Sequence, residues 1–202
     1  IATTATKVDG GYSLIGSKTF VLDGHVANLL IVAARTSGET IGEQGISLFL
    51  VDANVKGLSV ARTIMVDSRN SSNIQFNNVV VAEDALLGEL DQGFKGLDSV
   101  LDIARIGIAA EMLGSMQAVF ESIVEFLKQR EQFGVLIGSF QGLQHRAAEM
   151  YSEIELCKSA VRAALAGLDD PGTTQVEIAE LASMTKAKLS EVFFLVSNEG
   201  IQ

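Results

Sequence analysis

A chain of 202 residues with 48% apolar and 20% charged side chains can bury a sizeable core and has the balance of an ordinary globular protein. Its net charge of -10 argues against polyanion binding by the surface as a whole, so no nucleic-acid partner is expected and any anionic ligand needs a local basic site. A single cysteine, Cys157, excludes an internal disulfide, and the absence of a run of about 18 uncharged apolar residues predicts no membrane insertion.

Residues 1–88 carry short apolar runs punctuated by Gly, Asn and Asp. In "GGYSLIGSKTFVLDG" Tyr12 and Leu14 alternate with Ser13, and a turn is expected at Gly16. The runs "NLLIVAAR" (28–35), "GISLFLVD" (45–52), "GLSVARTIM" (57–65) and "NIQFNNVVV" (73–81) follow, the last with Ile74 and Phe76 on one face and Gln75 on the other. The spacing predicts an antiparallel sheet or small barrel. From residue 89 the period changes to that of a helix. Val100, Ile103, Ile106, Ala110, Leu113, Met116, Phe120, Val124 and Leu127 form one expected core stripe. Leu143, Ala147, Met150, Ile154, Cys157, Val161 and Leu165 form a second, and after "DDPG" (169–172) Ile178, Ala182, Thr185, Leu189, Val192 and Val196 form a third. The predicted class is therefore α+β, with a β-domain over 1–88 and an up-down helical bundle over 89–202. Ile1 is not a Met, no charged leader precedes the strands, and "SNEGIQ" ends without a helix stop signal. Both ends read as cuts in a longer protein, with a fourth helix expected beyond Gln202.

The connection between the first two helices, within "LKQREQFGVLIGSFQGLQHRAAEM" (127–150), lacks the usual turn chemistry. Arg130 at the end of a helix suits the helix dipole, Gly134 reads as a helix stop, and Ser139 as the N-cap of the next helix. Taken together, Arg130 offers a planar donor fork for phosphate and the next helix presents its unpaired amides to an anion. Gln132 and Gln141 offer donors and acceptors for hydroxyls or ring edges, and Phe133 and Phe140 offer apolar faces. The set fits one end of a large phosphate-bearing cofactor. Neither a GxGxxG after a strand nor a GxxxxGK[ST] occurs to explain it otherwise. His25 and His145 have no companion at ligand spacing, so no metal site is expected.

"RxQFG" followed by "FQxLQHRAAEM" resembles the acyl-CoA dehydrogenase family, and the likeness extends over essentially the whole chain. "GYSLIGSKTFVLDGHVANLLIVAAR" resembles that family's middle β-domain, and "GISLFLVD", "IQFNNVVV" and "LLGELDQGFKGLDSVLDIARIGIAAEMLG" follow in the family's order. The resemblance implies an FAD-dependent α,β-dehydrogenation of an acyl-CoA thioester to a 2,3-enoyl-CoA. Electrons would pass to an electron-transferring flavoprotein, and the protein would be a homodimer or homotetramer. It implies that Arg130, Gln132, Phe133, Phe140, Gln141 and Gln202 contact FAD held mainly by a neighbouring subunit. Phe20 stands where the family places an aromatic beside the flavin ring. Leu22 stands where a Thr hydroxyl usually meets flavin N5, and Leu cannot make that bond. Thr19 is not expected to replace it, since odd and even residues of a strand face opposite ways; on packing alone Phe20 and Leu22 read equally as a β core pair. Asp102 and Arg105, at i and i+3, match a stretch lining the family's acyl-CoA channel, although alone they read as a surface ion pair. Ala104 occupies the position where a minority of the family carries its base, and in most members the catalytic Glu lies beyond the position of Gln202, so no catalytic residue is assigned. The family occurs in the bacterial cytoplasm and the mitochondrial matrix. Two alternatives stand beside the enzyme: a non-catalytic family-like subunit, and a structural helical oligomerisation module.

Overall fold

Alternating buried and exposed side chains shape seven strands in the first half of the chain: β1 (Thr4–Val8), β2 (Gly11–Leu22), β3 (Leu29–Arg35), β4 (Ile46–Asp52), β5 (Leu58–Ile64), β6 (Asn70–Ala82) and β7 (Leu86–Leu87). The computed structural model describes every residue except Ser68. The strands form one open sheet in the order β5-β6-β2-β1-β3-β4-β7. Its edge strands do not pair with each other, so the sheet is not a closed barrel. Nor is it wholly antiparallel, because β1 and β3 run parallel where Thr4 faces Arg35. Side-chain alternation reports which face is buried but not strand direction, so the parallel pair was invisible in the pattern.

One side of the sheet buries Leu14, Phe49, Ile74, Phe76 and Val79, with Tyr12 stacked at a tilt on Phe49 at 5.0 Å between ring centres. Gly16 is not a turn. It lies within β2 at a bulge, with φ 140°, and a Cβ there would stand 2.8 Å from the Thr3 Cα. Buried Arg35 donates to the carbonyls of Ile1, Thr40, Gly42 and Gln44 and so organises the long loop before β4.

Three helices follow: α1 (Gly93–Gln129), α2 (Gln141–Asp169) and α3 (Gln175–Ile201). The chain divides into the units Ile1–Leu97 and Asp98–Gln202, further along than the 88/89 change of period, because the first residues of α1 pack with the sheet. Gly93, for example, lies against Leu48 and the Ile46 carbonyl. Ala109 and Met116 of α1 meet Met150, Ile154, Cys157 and Val161 of α2 and Leu189, Val192 and Val196 of α3 in one core. The stripes of α2 and α3 follow the expected positions, except that Ala164 is buried where Leu165 was expected. On α1 the phase differs at the start: Val100 and Ile103 are exposed and Asp102 turns inward, while Ile106 is buried as expected. Apolar residues line more than one face of α1, so periodicity alone did not select the buried one. An 18-residue window of α1 has mean hydropathy 1.2 with no more than two charged residues, which by length and composition is enough to cross a membrane. Up to two charged residues interrupt that window, so no uncharged run marks it in the sequence.

Candidate functional site

The connection between α1 and α2 is a miniature β-hairpin. α1 stops at Gln129; Glu131–Gln132 (β8) pair with Val135–Leu136 (β9), Glu131 opposite Leu136 and Gln132 opposite Val135. The two residues of the turn, Phe133 and Gly134, have φ of 55° and 79°. Both signs positive is the signature of a type I′ turn, which matches strand twist and favours Asn or Gly at its first position. Gly134 therefore closes a hairpin and does not stop the helix. Phe at the first position is a strained choice. The residue is 93% exposed, so burial does not hold it there. The ring meets Phe140 edge to face, 6.2 Å between centres at 78°.

Arg130 lies at the base of this hairpin, exposed, with its carbonyl accepting from the Ile137 amide at 2.9 Å. No carboxylate pairs with its guanidinium among the described residues. Gln132 Nε2 donates to the Glu131 carbonyl at 2.8 Å, while Gln141, the first residue of α2, is exposed. Ser139 is not the cap of α2. Its hydroxyl donates back to the Leu136 carbonyl at 2.6 Å, and the N-cap is Phe140, whose side chain makes no capping bond. The short 3-10 turn Ile137–Ser139 between β9 and α2 draws the hydroxyl away. Gln144, not singled out by sequence, braces that turn by donating to the Gly138 carbonyl at 2.9 Å. Gln202 lines a groove of 790 Å³ with Ile137, Leu143 and Arg146, so it shares the hairpin end of the helical unit.

In the sheet, alternation breaks next to the position expected to face a ring. A register shift between Lys18 and Val21 marks a bulge, and Phe20 has φ 57° with its amide donating to Asn73 Oδ1 at 3.2 Å. The bulge brings Lys18, Thr19, Phe20 and Val21 all onto the lining of one cleft of 400 Å³. The odd-and-even argument that set Thr19 apart from Leu22 does not hold across this bulge, because an extra residue resets the alternation. Phe20 and Leu22 are 61% and 60% exposed, which removes the reading as a β core pair. Asn73 carried no signal beyond its place in a strand, whereas Lys18 stands at the Lys of the family-like run Gly16-x-Lys18-x-Phe20. Burial holds the Lys18 ammonium below its ordinary pKa.

Asp102 is not part of a surface ion pair. It is 1% exposed, accepts from Arg105 at 2.5 Å and from Gln175 Nε2 at 3.2 Å, and so ties α1 to the start of α3. The Arg105 side chain remains 40% exposed. Its two bonds fix the Arg105 side chain relative to α3.

Two family models match this chain: the acyl-CoA dehydrogenase middle domain over residues 1–79 and the acyl-CoA dehydrogenase C-terminal domain over residues 91–202. The chain belongs to the acyl-CoA dehydrogenase family. An acyl-CoA dehydrogenase of Bacillus subtilis is 35% identical over 205 residues, covering 100% of this chain and 53% of that protein. A mitochondrial 2-methylacyl-CoA dehydrogenase of Solanum tuberosum is 37% identical over 169 residues, covering 82% and 41%. The butyryl-CoA dehydrogenase of Megasphaera elsdenii superposes with a TM-score of 0.90 at 32% identity, covering 99% of this chain and 52% of that one. The chain thus spans about half the length of these relatives, over the β-domain and helical part of the family. Family membership accounts for the sheet followed by helices and disfavours the reading as a structural oligomerisation module.

Proposed function

We propose that this chain is part of an FAD-dependent acyl-CoA dehydrogenase that converts an acyl-CoA thioester to its 2,3-enoyl-CoA. The observation that carries the reading is the hairpin between α1 and α2. It holds an exposed Phe133 at positive φ and an exposed Arg130 that no carboxylate pairs with among the described residues. A self-contained helical connection gains nothing from the guanidinium and from Phe133 only about what its strained turn costs, whereas a ligand with an aromatic base and a diphosphate uses both. The donor set fits FAD. Arg130 offers its fork to the diphosphate, Phe133 and Phe140 an apolar corner to the adenine, and Gln132 and Gln141 their amides to hydroxyls and ring edges. Gln202 contributes from the end of α3. The FAD so contacted would belong mainly to a neighbouring subunit, making the protein a homodimer or homotetramer.

FAD, when bound, supplies the acceptor for a hydride from the substrate Cβ. The chain's own residues do the rest of the work open to them. Phe20, lifted by its bulge, flanks the ring, and Leu22 offers bulk but no hydroxyl. Arg105, oriented by buried Asp102, presents a partly exposed guanidinium to the CoA portion of the substrate. The proton at Cα requires a carboxylate base, and Ala104 does not supply one. Oxidation of the reduced cofactor would fall to an electron-transferring flavoprotein, in the bacterial cytoplasm or the mitochondrial matrix.

The full-length protein purified from cells should be yellow, with absorbance near 450 nm, and should bleach anaerobically with an acyl-CoA of suitable chain. A colourless protein that takes up no added FAD removes this reading. A yellow protein that no acyl-CoA bleaches, whatever its chain length or branching, is instead a non-catalytic family subunit.

A further inference from the structure

The two carboxylate oxygens of Asp102 have different partners. Oδ1 accepts from Arg105 Nη1, one turn further along α1, at 2.5 Å, and Oδ2 accepts from Gln175 Nε2 at 3.2 Å. The residue is 1% exposed, so both bonds form away from solvent. All three residues belong to the unit Asp98–Gln202. Gln175 is the first residue of α3, and its backbone is fixed there. Thr174 caps the helix, Glu177 closes the capping box, and the Gly172 amide donates to Asp170 Oδ1 at 2.8 Å in the turn before it. The rest of Gln175 is exposed, so its amide is not needed to fill a core.

The division between the two oxygens decides how Arg105 is held. A carboxylate with both oxygens available tends to meet a guanidinium at two points. Here Gln175 occupies one oxygen, and Arg105 pairs at one point, through Nη1. Its Nε and Nη2 have no acceptor among the described residues, and the side chain is 40% exposed. Without the Gln175 amide, Oδ2 would be a buried acceptor lacking a donor, a state that costs free energy until a donor reaches it. The nearest cation is Arg105 itself. Swinging inward to serve both oxygens, it would have fewer N–H groups to offer outward.

We infer that Gln175 is a positioning residue for the thioester substrate: by holding Asp102 to a single bond with Arg105, it leaves the rest of the Arg105 fork for a phosphate group of the CoA portion. The inference rests on the acyl-CoA reading above and adds to it a residue of α3 that itself touches no substrate. A planar fork with unused donors fits phosphate oxygens side by side, whereas each amide of the pantetheine arm offers one carbonyl and gains less. A contact at the nucleotide end is the same in the ground state and the transition state, so it acts on KM and not on kcat.

The test uses full-length, FAD-loaded protein and an acyl-CoA that bleaches the parent, with Gln175→Met, Arg105→Met and the double variant beside it. Initial rates with a dye as electron acceptor are compared for that acyl-CoA and for the matching acyl-pantetheine thioester, which carries no phosphate. Gln175→Met should raise KM for the acyl-CoA about five- to tenfold, change kcat by less than about twofold, and leave KM for the acyl-pantetheine as it was. In the Arg105→Met background the same change should add nothing. An unchanged KM for the acyl-CoA overturns the inference and leaves the FAD reading intact. An equal rise for both thioesters also overturns it, since the start of α3 would then shape the site as a whole and not the phosphate end. So does a rise that persists in the absence of Arg105. Should Gln175→Met fail to fold, as judged by circular dichroism, Gln175→Ala is held to the same outcomes. A parent protein that binds no FAD, or that no acyl-CoA bleaches, defeats the underlying reading, and this one with it.

Discussion

Phe133 and Phe140 meet edge to face, 6.2 Å apart and at 78°, although one belongs to a hairpin turn and the other to the N-cap of α2. The first ring stands almost free of the chain and the second is 38% exposed. Such a pair contributes about 0.5–1.5 kcal/mol beyond area burial, comparable with the roughly 1–2 kcal/mol cost of holding a non-glycine residue in the left-handed region. The turn is thus near balance on its own terms, and its exposed ring is available to a ligand.

Phe133→Asn should separate stability from binding. Asn is favoured at the first position of a type I′ turn, so the strain is relieved while the ring contact with Phe140 is lost. Thermal unfolding of the FAD-free full-length protein should change by less than about 1 kcal/mol, a shift of at most about 4 °C. FAD affinity, read by fluorescence titration, should fall at least tenfold. A fall in melting temperature well beyond that range with unchanged affinity would assign Phe133 to packing alone.

Arg130→Ala removes an exposed guanidinium that has no ion-pair partner among the described residues, so the folded chain loses within about 0.5 kcal/mol. A charge-assisted bond to phosphate contributes about 1.5–3 kcal/mol, so FAD should dissociate roughly ten- to a hundredfold more readily. Retention on gel filtration and the far-ultraviolet circular-dichroism signal distinguish the two. Parallel loss of both would make Arg130 structural.

Asp102→Ala should cost about 2–3 kcal/mol in urea unfolding, since it strips Arg105 and Gln175 of a buried acceptor. The exposure of Arg105 keeps the figure below that of a wholly buried pair. Adding Arg105→Ala should recover part of the loss. Strict additivity of the two changes would show that they do not act through one another.

The start of α3 offers a pH test. Thr174 caps the helix and Glu177 closes the capping box, its carboxylate accepting from the Thr174 amide at 2.8 Å and from its hydroxyl. These bonds, the backbone one first, hold the Glu177 pKa below its ordinary value. A depressed folded-state pKa gives stability that is present above the ordinary carboxylate range and lost as pH falls through the folded value. Thr174→Ala should cost about 1 kcal/mol at neutral pH and less in acid, where parent and variant converge. A penalty that does not vary between pH 7 and pH 3 would remove Glu177 from the account.

The order of elements, the helical stripes of α2 and α3, the break at Asp169–Gly172 and the residue types of the hairpin were all legible in the sequence. Each rests on local periodicity or turn chemistry, which a linear pattern carries directly. What the tertiary structure alone decided is which of several local options wins. Asp102 is buried because Gln175 of α3 and Arg105 converge on it, and no spacing along α1 announces a partner 73 residues away. Phe20, Thr19 and Lys18 share a cleft because a bulge in β2 opposite β6 resets the alternation between Lys18 and Val21. Register between strands is a long-range quantity, fixed by packing of the whole sheet, and the alternation of one strand contains no record of it.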